Sequence, residues 1–366
     1  MERWKAAVEE KIDNFLTSNF SNKTVLVTGH TGFKGSWLTA LLLELGANVC
    51  GISSANSKNT GHFESLNFRI PSYRFDISVQ DRFKETFNII NPDMVFHLAA
   101  QPLVRYSYAF PRETWETNVL GTLNLLESLR LSEKRIPTLI ITSDKCYRNE
   151  NKEHVFVEND PLGGDDPYSS SKAAVEILIH SYMKSFLNLE SNKGPIATAR
   201  AGNIVGGGDW SEDRLIPDII KATTLGSSLV LRNPSATRPW MYILDVLTGY
   251  LKLMSLMVEK GDEFSGSWNF GPSSSETVSV SDIVALWGVK FEVPLSNSFV
   301  LPEKSYLMLD SSKSRELLHW NPILSLADSI NLTKNWYSAY YAGNETQTIT
   351  EIQRYLAILA TQEGDF

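Results

Sequence analysis

A glycine-rich turn between a strand and a helix restricts the fold of this chain more than any other feature. Residues 23–28 read Lys-Thr-Val-Leu-Val-Thr, a β-branched and apolar run that is typical of a buried parallel strand. Gly29-x-x-Gly32-x-x-Gly35 follows at once, and residues 36–45 have a helical pattern. Glycines here allow a tight turn and let the backbone approach a pyrophosphate at the helix N-terminus. The pattern predicts a dinucleotide-binding unit, although its spacing differs from G-x-G-x-x-G.

Strand and helix patterns alternate as far as residue 202. Apolar strand patterns occupy residues 47–52, 94–98, 138–142 and 196–200, and a short one ends at Asp76. Helical patterns occupy residues 78–90, 112–130 and 167–186. Such alternation is typical of a parallel sheet with helices on both faces. We therefore predict an α/β fold, a Rossmann doubly wound parallel sheet.

The character of the sequence changes after Gly202. Three successive glycines, Gly206 to Gly208, and many Asn, Ser, Pro and Arg residues interrupt the periodicity. We predict a smaller mixed α/β C-terminal lobe for the substrate, with helices near residues 215–224, 243–258 and 281–287. The predicted organisation is an N-terminal helical extension (1–22), a cofactor domain (23–202) and this lobe (203–366), with some of its segments returning to the cofactor domain.

Composition excludes several classes of protein. The 366 residues carry a net charge of -8 without a basic cluster, so a nucleic-acid partner is not expected. No apolar run approaches the roughly 18 residues that a membrane-spanning helix needs. Only Cys50 and Cys146 are present, which argues for a reducing compartment and a cytoplasmic protein. The six histidines have no ligand spacing, and we predict no metal site.

Two short segments carry the residues suited to catalysis. Tyr168 and Lys172 are four positions apart, about one helical turn, so both side chains share a helix face. A lysine cation beside a phenol favours the phenolate and eases proton transfer. The other segment, Ser143-Asp144-Lys145, ends an apolar strand with a hydroxyl, a carboxylate and an amine. Together they indicate a hydride-transfer centre with an additional acid/base pair.

Several motifs in this chain resemble those of the extended short-chain dehydrogenase/reductases that act on nucleotide sugars. In order they are the glycine turn, Leu98-Ala99-Ala100-Gln101, Asn118-x-x-Gly121, Tyr168-x-x-x-Lys172 and Arg200-x-x-Asn203, and the resemblance covers about residues 23–320. Within that group the chain resembles the sugar-nucleotide 4,6-dehydratases. It is most similar to those acting on CDP-glucose, through the segments TSDKCY, AGNIVGGGDW, DRLIPD and RNPSATRPW.

The resemblance implies NAD as the cofactor. Asp76 would accept a hydrogen bond from the adenine amine or, on another interpretation, cap the helix that follows. The usual acid at the end of the second strand is missing, and Lys58 nearby could favour a 2′-phosphate, but NAD is the favoured reading. The cofactor-binding residues that the resemblance implies are Gly29, Thr31, Gly32, Phe33, Lys34, Gly35, Asp76, Ile77, Leu98, Ala99, Ala100, Asn118, Thr142, Tyr168 and Lys172.

The implied reaction is oxidation of the hexose at C4, loss of water across C5 and C6, and return of the hydride to C6. Tyr168 would accept the C4 hydroxyl proton, and Lys172 would hold the nicotinamide ribose and keep the phenol acidic. Ser143 would bind the C4 oxygen, and Asp144 would protonate the leaving hydroxide. Lys145 stands where a glutamate base is common. We expect Lys145 to be the C5 base, which requires a depressed pKa; the alternative is that it only pairs with Asp144 while water or Tyr147 is the base.

The substrate diphosphate needs cations and hydrogen-bond donors. Arg238 is the leading candidate, because a guanidinium can bind a phosphate with two parallel hydrogen bonds. The other predicted substrate-binding residues are Gln101, Arg105, Asn203 and Arg232. Trp210 and Trp240 could wall the nucleobase, although core packing explains them more simply. In relatives, the helices equivalent to residues 112–130 and 168–187 form a dimer interface, so a homodimer is expected.

Four alternatives remain at this point. A nucleotide-sugar 4-epimerase of the same fold would need no acid/base pair after Ser143. A reductase would consume its cofactor stoichiometrically, and a regulatory protein would bind the cofactor without turnover. A 4,6-dehydratase of dTDP-glucose or UDP-N-acetylglucosamine would share the mechanism, because an Asp-Lys pair like Asp144-Lys145 does not identify the sugar.

Overall fold

The computed structural model describes residues 16–55, 60–187, 193–226, 228–272, 278–293, 304, 306–344 and 347–362. A central sheet of seven strands organises the chain: β1 (Thr24–Thr28), β2 (Asn48–Ser53), β3 (Ser72–Arg74), β4 (Met94–His97), β5 (Thr138–Ile141), β7 (Ile196–Ala201) and β12 (Gly266–Phe270). Their order is β12-β7-β5-β4-β1-β2-β3, and every neighbouring pair is parallel. The predicted α/β Rossmann sheet is confirmed. Its strand order reverses between β1 and β4, which opens a crevice at the carboxyl ends of these two strands.

Alternation of side chains along the strands explains why both sheet faces are covered. Val25 and Val27 of β1 belong to one hydrophobic core, and Leu26 between them belongs to another on the opposite face. Leu139 and Ile140 of β5 divide in the same way. A parallel strand buried on both faces reads as a continuous apolar run, which is the pattern that marked these segments in the sequence.

Helices connect the strands and cover the sheet. Those of the first half are α1 (Leu16–Phe20), α2 (Phe33–Glu44), α3 (Gly61–Ser65), α4 (Gln80–Ile90), α5 (Val104–Ala109), α6 (Pro111–Trp115), α7 (Gly121–Leu131) and α8 (Pro167–Ser185). The long helix predicted over residues 112–130 is present, but a π turn over Glu116–Leu120 joins α6 to α7. Single π turns often mark functional positions, and this one contains Asn118.

The later residues add short strands and six helices. The strands are β6 (Val155–Phe156), β8 (Asn203–Val205), β9 (Leu229–Val230), β10 (Thr237–Arg238), β11 (Trp240–Tyr242), β13 (Val278–Ser279), β14 (Phe291–Glu292) and β15 (Met308–Leu309). The helices are α9 (Leu215–Leu225), α10 (Ile243–Lys260), α11 (Val280–Trp287), α12 (Ser312–Leu318), α13 (Leu326–Tyr341) and α14 (Thr348–Gln362). β12 joins the main sheet beside β7, as expected of a returning segment, while the proposed domain boundaries remain a prediction.

Two further expectations concern the chain ends and the membrane. Residues 1–15 of the predicted N-terminal helical extension (1–22) and the residue Lys58 lie outside the described residues, and the described part of the extension begins with α1 at Leu16. No helix among the described residues is long and apolar enough to cross a bilayer.

Candidate active site

The glycine turn lies where β1 passes into α2, at the crevice. Gly29 has a φ of +74°, and a Cβ there would lie 2.8 Å from the backbone nitrogen of Ala99, just past β4. A Cβ on Gly35 would lie 2.0 Å from the Gly29 carbonyl oxygen. Packing therefore requires glycine at these two positions. A Cβ on Gly32 would have only the Gly29 carbonyl oxygen as a neighbour, at 3.4 Å, so this position leaves the helix N-terminus open to a ligand.

Polar side chains close the turn on the side of β2 and β3. His30 joins Ser53, at the end of β2, to Ser72 of β3, with both contacts at 2.8 Å. Burial lowers the pKa of His30 to about 4, so its ring is neutral. Arg74, at the end of β3, donates to the Thr31 hydroxyl at 3.2 Å. Thr31 is thus brought to the turn as expected, and Arg74 is a cation there that the sequence analysis did not single out.

Asp76 does not cap a helix. Helix α4 begins at Gln80 with Val79 as its N-cap, so the capping interpretation is wrong. The side chain instead accepts a hydrogen bond from the Ser78 backbone at 2.9 Å in a local turn. Ile77 packs against Gly121 of α7, where a Cβ would lie 2.4 Å from its Cδ1 atom. Asp76 stays available as a predicted adenine ligand beside the end of β3.

Hydrogen bonds of two side-chain amides hold the loop after β4 in place. Asn118 accepts from the Gln101 backbone at 2.8 Å and donates to the Ser171 hydroxyl at 2.8 Å. The side chain of Gln101 bonds to Thr114 at 2.9 Å and to the Leu103 backbone. These bonds hold the segment Leu98–Gln101 against the π turn and α8. The amides of Asn118 and Gln101 already bond within the protein, so these two residues position the loop beside the crevice.

The three residues predicted after β5 form one compact cluster. Ser143 accepts from the Lys145 backbone at 3.2 Å and caps the single turn over Asp144–Cys146. Its hydroxyl also donates to Oδ1 of Asp144 at 2.9 Å. Asp144 is 1% exposed, and its Oδ2 atom has no hydrogen-bond partner among the described residues. A buried carboxylate oxygen without a partner is costly, which marks it as a binding or catalytic atom.

Helix α8 supplies the second half of the cluster. Its N-cap Asp166 accepts from the Ser169 backbone at 2.9 Å, which fixes the first turn where Tyr168 lies. The Tyr168 hydroxyl lies near Ser143, whose hydroxyl opposes the rise in the pKa of the phenol. Lys172, one turn later, donates to the Ile141 carbonyl at 3.2 Å. The structure thus brings Tyr168, Lys172 and the segment Ser143 to Lys145 together.

The expected acidic phenol is not found. Burial raises the pKa of Tyr168 to about 12, against the opposing effects of the Ser143 hydrogen bond and the Arg214 cation. Burial also lowers the pKa of Lys172 to about 8. The lowered pKa that the helix spacing predicted for Tyr168 is wrong for this structure, because the effect of burial is larger than that of the nearby positive charge.

A buried ion pair joins the strands and the helix that carry this cluster. Arg200 of β7 donates to both carboxylate oxygens of Glu176 in α8, at 2.9 and 2.8 Å. Thr142 donates to the same carboxylate at 2.5 Å, and Arg200 also donates to the Tyr147 hydroxyl at 2.8 Å. Burial alone would raise the pKa of Glu176, but Arg200 brings it below its usual value. Thr142 and Arg200 therefore hold β5, β7 and α8 in register.

Two basic side chains from separate segments act electrostatically on this cluster. Lys34 lies in the first turn of α2, and burial, together with the positive charge of Arg214, lowers its pKa to about 7. Asp144, Lys145 and Lys172 also act on it electrostatically. Lys34 was predicted as a cofactor residue, but Arg214 was not predicted. Its only signal was its place in the DRLIPD segment.

The predicted substrate-binding arginines fall into two groups. Arg105 of α5 lies 2.7 Å from Asp213, and Arg232 lies 3.6 Å from the same carboxylate. Arg238 of β10 donates to its neighbour's carbonyl, that of Thr237, at 2.8 Å. It precedes Trp240, the partner of Asn203 across the β8 and β11 pair. Asn203 and Arg238 therefore lie on adjoining segments, while Arg105 and Arg232 meet at Asp213.

The two tryptophans that could wall the nucleobase pack against other side chains. Trp240 is buried in the main core, and Trp210 packs on Trp336 and Tyr340 with ring centroids 5.7 and 4.9 Å away. Both therefore pack against other side chains, which is the simpler of the two interpretations. Within the described ranges, no group of three or more His, Cys, Asp or Glu side chains could hold a metal ion.

Comparison with known proteins identifies the family. The model of the GDP-mannose 4,6 dehydratase family matches residues 26–333 of the sequence. The chain belongs to this family. It is also 39% identical over 340 residues to the CDP-glucose 4,6-dehydratase of Salmonella typhimurium, with 90% of this chain and 95% of that protein covered.

Solved structures of other proteins with this fold superpose on this chain. A UDP-glucuronic acid 4-epimerase from Bacillus cereus, in complex with UDP-glucuronic acid and NAD, matches with a TM-score of 0.74 and 25% identity over 87% of this chain and 100% of that one. A dTDP-glucose 4,6-dehydratase from Bacillus anthracis, in complex with NAD, matches with a TM-score of 0.71 and 21% identity over 86% of this chain and 96% of that one. The fold is thus shared by epimerases and dehydratases, and the site residues must distinguish them.

Proposed function

We propose that this protein is an NAD-dependent CDP-glucose 4,6-dehydratase, which converts CDP-D-glucose to CDP-4-dehydro-6-deoxy-D-glucose and water. The observation that carries the proposal is the contact of Asp144 and Lys145 beside Ser143 and Tyr168. An epimerase has no use for this additional acid/base pair. The likeness to the Salmonella typhimurium enzyme supports the choice of CDP-glucose. Such a product would serve deoxysugar synthesis for surface polysaccharide such as the O-antigen of lipopolysaccharide.

The crevice fits a dinucleotide. Gly32 leaves the N-terminus of α2 open to a pyrophosphate, while Gly29 and Gly35 let the turn pack against the segment after β4. Thr31 and Asp76 would bind on the adenosine side, and Tyr168 and Lys172 on the nicotinamide side. The neutral Ser53, in place of an acid at the end of β2, would bind a ribose hydroxyl. When bound, NAD supplies the acceptor that takes the hydride from C4 and later delivers it to C6.

The side chains around Asp144 would divide the proton transfers. Tyr168 would take the C4 hydroxyl proton, and Ser143 would hold the C4 oxygen as it becomes a ketone. The ketone makes the C5 hydrogen acidic. Lys145 would then remove it, while Asp144 protonates the C6 hydroxyl as it leaves.

The observed ion pair contains the one proton that the elimination needs. Lys145 lies 3.4 Å from Asp144, and moving a proton between them would give a neutral amine and a neutral carboxylic acid. That form has both the base for C5 and the acid for C6. Elimination would return the pair to its charged form, so no proton from solvent is required. Lys145 is therefore favoured as the base over water and over Tyr147, whose hydroxyl is bound to Arg200 and Asn269.

The substrate would enter between the adjoining strands that carry Asn203 and Arg238 and the site where Arg105 and Arg232 meet Asp213. Arg238 would bind the diphosphate in a bidentate manner, with Asn203 donating to phosphate or sugar. Arg105 and Arg232 would exchange part of their contact with Asp213 for the incoming phosphates. Gln101 would contribute by positioning the loop after β4.

We also propose that the protein is a cytoplasmic homodimer. Large apolar side chains are exposed on helices α6 and α8 and on the segment before α6, with Phe110 51%, Trp115 40% and Ile177 60% exposed. An apolar surface on adjacent helices suits a second copy of the chain. Both cysteines are free thiols, which fits a reducing compartment. Ile177→Asp should convert the dimer to monomer in light scattering, and an unchanged mass would contradict this interface.

The test of the function is a panel of nucleotide sugars with the product mass recorded. The panel contains CDP-glucose, dTDP-glucose, UDP-glucose, GDP-mannose and UDP-N-acetylglucosamine. We expect loss of one water from CDP-glucose without net consumption of NAD. Conversion without a mass change would make the protein an epimerase. Stoichiometric consumption of the reduced cofactor would make it a reductase.

A further inference from the structure

The single turn over Asp144–Cys146, which carries the acid and the amine, has only long hydrogen bonds of its own. The Lys145 backbone donates to the Ser143 hydroxyl, and the Cys146 backbone donates to the Ser143 carbonyl, both at 3.2 Å. This distance is at the long end of the range for such bonds. The turn follows β5 and ends at Tyr147. Its geometry therefore depends on how firmly its two ends are held.

The side chain of Tyr147 anchors the far end of the turn. Its ring is 2% exposed and stacks on Phe156 of β6, with ring centroids 4.9 Å apart. Its hydroxyl accepts from Nη1 of Arg200 at 2.8 Å and donates to Oδ1 of Asn269 at 2.7 Å. Arg200 of β7 and Asn269 of β12 are partners in the register of these two strands. One hydroxyl thus joins the turn to two strands of the main sheet.

Asn269 is fixed so that only its oxygen can face this phenol. The residue is fully buried, and its Nδ2 atom donates to the carbonyls of Phe156 and Asp310, at 2.9 and 3.0 Å. A flipped amide would place its oxygen against these two carbonyl oxygens. The backbone N–H of Asn269 donates to Glu158 at 2.9 Å, and its carbonyl accepts from Ser314 at 2.6 Å. Every polar group of Asn269 is therefore bound, which makes it a rigid anchor.

We propose that Tyr147 and Asn269 are positioning residues that hold Asp144 and Lys145 in place for the loss of water. This role rests on the proposed function, which assigns the acid and the base of that step to these two side chains. Neither positioning residue is catalytic. Asn269 acts through Tyr147, and Tyr147 acts through the turn that it ends.

The anchor should matter for one half of the reaction only. The near end of the turn is held separately, because the Thr142 backbone donates to the Ala199 carbonyl at 3.0 Å and the Thr142 hydroxyl donates to Glu176 at 2.5 Å. C4 oxidation uses Tyr168 of α8 and the residue directly after Thr142, so it should be spared. Loss of water uses the two residues nearer to Tyr147.

The test measures the two halves of the reaction in Tyr147→Phe, which keeps the ring and removes the hydroxyl. With CDP-glucose, kcat should fall by about tenfold to a hundredfold, because small displacements of an acid and a base are costly. Reduced cofactor should accumulate on the enzyme in a single turnover, since C4 oxidation continues while loss of water is slow. Absorbance of the reduced nicotinamide records the first half, and product mass records the second.

Two further variants separate the explanations. Asn269→Ser leaves the Tyr147 hydroxyl in place but removes its acceptor, and it should give the same accumulation of reduced cofactor. It also provides the measurement if Tyr147→Phe does not fold. Tyr355→Phe is the matched control, because it removes another buried hydroxyl, one on α14 that donates to Asp245 at 2.6 Å. It should lower stability without accumulation of reduced cofactor.

Three results would overturn the proposal. The first is equal slowing of both halves in Tyr147→Phe, without accumulation of reduced cofactor. The second is the same accumulation in Tyr355→Phe, which would indicate general loosening. The third is complete loss of C5 exchange in Tyr147→Phe with unchanged kinetics in Asn269→Ser, which would make Tyr147 the base itself.

A measurement without turnover keeps this role distinct from the proposed function, which fails if the unchanged protein converts no sugar nucleotide. Amide hydrogen exchange of the peptide that contains residues 143–147 reports how firmly the turn is held. Exchange should be faster in Tyr147→Phe and unchanged in Tyr355→Phe. Exchange that is equal in Tyr147→Phe and the unchanged protein would contradict the anchor.

Discussion

The amine of Lys145 lies 3.4 Å from Oδ1 of Asp144, and the two partners differ sharply in exposure. The Asp144 side chain is 1% exposed, whereas that of Lys145 is 31% exposed. The carboxylate is therefore buried, with no hydrogen-bond partner for Oδ2 among the described residues, while the amine is partly exposed to solvent. Two residues that are adjacent in the sequence are thus a buried carboxylate and a partly exposed amine.

The outer amine should be required for exchange of the C5 hydrogen. Lys145→Met should abolish incorporation of solvent deuterium at C5, because no base would then remove that proton. Asp144→Asn is the matched variant, and it should slow dehydration by at least about a hundredfold. Exchange should be slowed less than in Lys145→Met, because an amide cannot take the proton of Lys145 but the amine can still lose it to water. Mass spectrometry of the recovered substrate measures exchange, and the mass of the product measures loss of water. Undiminished exchange in Lys145→Met would instead assign the base to water or Tyr147.

The two kinds of glycine in the turn should respond differently to alanine. Gly32→Ala should change stability by less than about 0.5 kcal/mol but weaken NAD binding about tenfold, because its φ of -74° suits alanine and only the ligand needs the space. Gly35→Ala should cost about 1–3 kcal/mol of stability, since the added Cβ would collide with the Gly29 backbone. Calorimetry with and without NAD separates the two effects. Equal loss of stability in both variants would contradict this division.

Loss of one partner of the buried ion pair between Arg200 and Glu176 should destabilise the fold more than loss of both. Arg200→Met should destabilise the fold by about 3–5 kcal/mol, because it leaves the Glu176 charge buried without a partner. The double variant Arg200→Met with Glu176→Met should recover much of that loss. Urea unfolding measures both. The exposed pair Arg112 and Glu116 is the control, and breaking it should have little effect.

Stability should fall as pH rises through neutrality because of Glu351. Burial raises the pKa of this carboxyl on α14 to about 7, and its hydrogen bond with Tyr242 only partly opposes the shift. Its folded pKa is above the unfolded value, so the stability it contributes is complete below about pH 4.5 and is lost as pH rises through about 7. The total is on the order of 3 kcal/mol.

Glu351→Gln should remove this part of the pH dependence of Tm between about pH 5 and 8. Glu44→Gln is a suitable control, because Glu44 is an exposed acid that bonds to Gln353 of the same helix at 3.0 Å. A pH dependence that is as steep in Glu351→Gln as in the unchanged protein would show that another group is responsible.

Local spacing in the sequence determined the cofactor half of this protein. A continuous apolar run predicts a strand buried on both faces, and β1 contributes Val25 to one core and Leu26 to the other. Tyr168 and Lys172 had to share a face because the helix period is close to four residues. The glycine turn was fixed by the same kind of short-range rule. These features depend only on backbone geometry over a few residues, so the sequence was sufficient for them.

Tertiary structure decided what lies around that frame. The spacing of Tyr168 and Lys172 gave no measure of burial, and burial reversed the predicted direction of the phenol pKa. Arg105 and Arg232 meet at Asp213, a grouping that separate motifs do not reveal. Tyr147 reaches Asn269 across 122 positions. Such contacts depend on how helices and sheet pack in three dimensions, and no local period of the sequence encodes that packing.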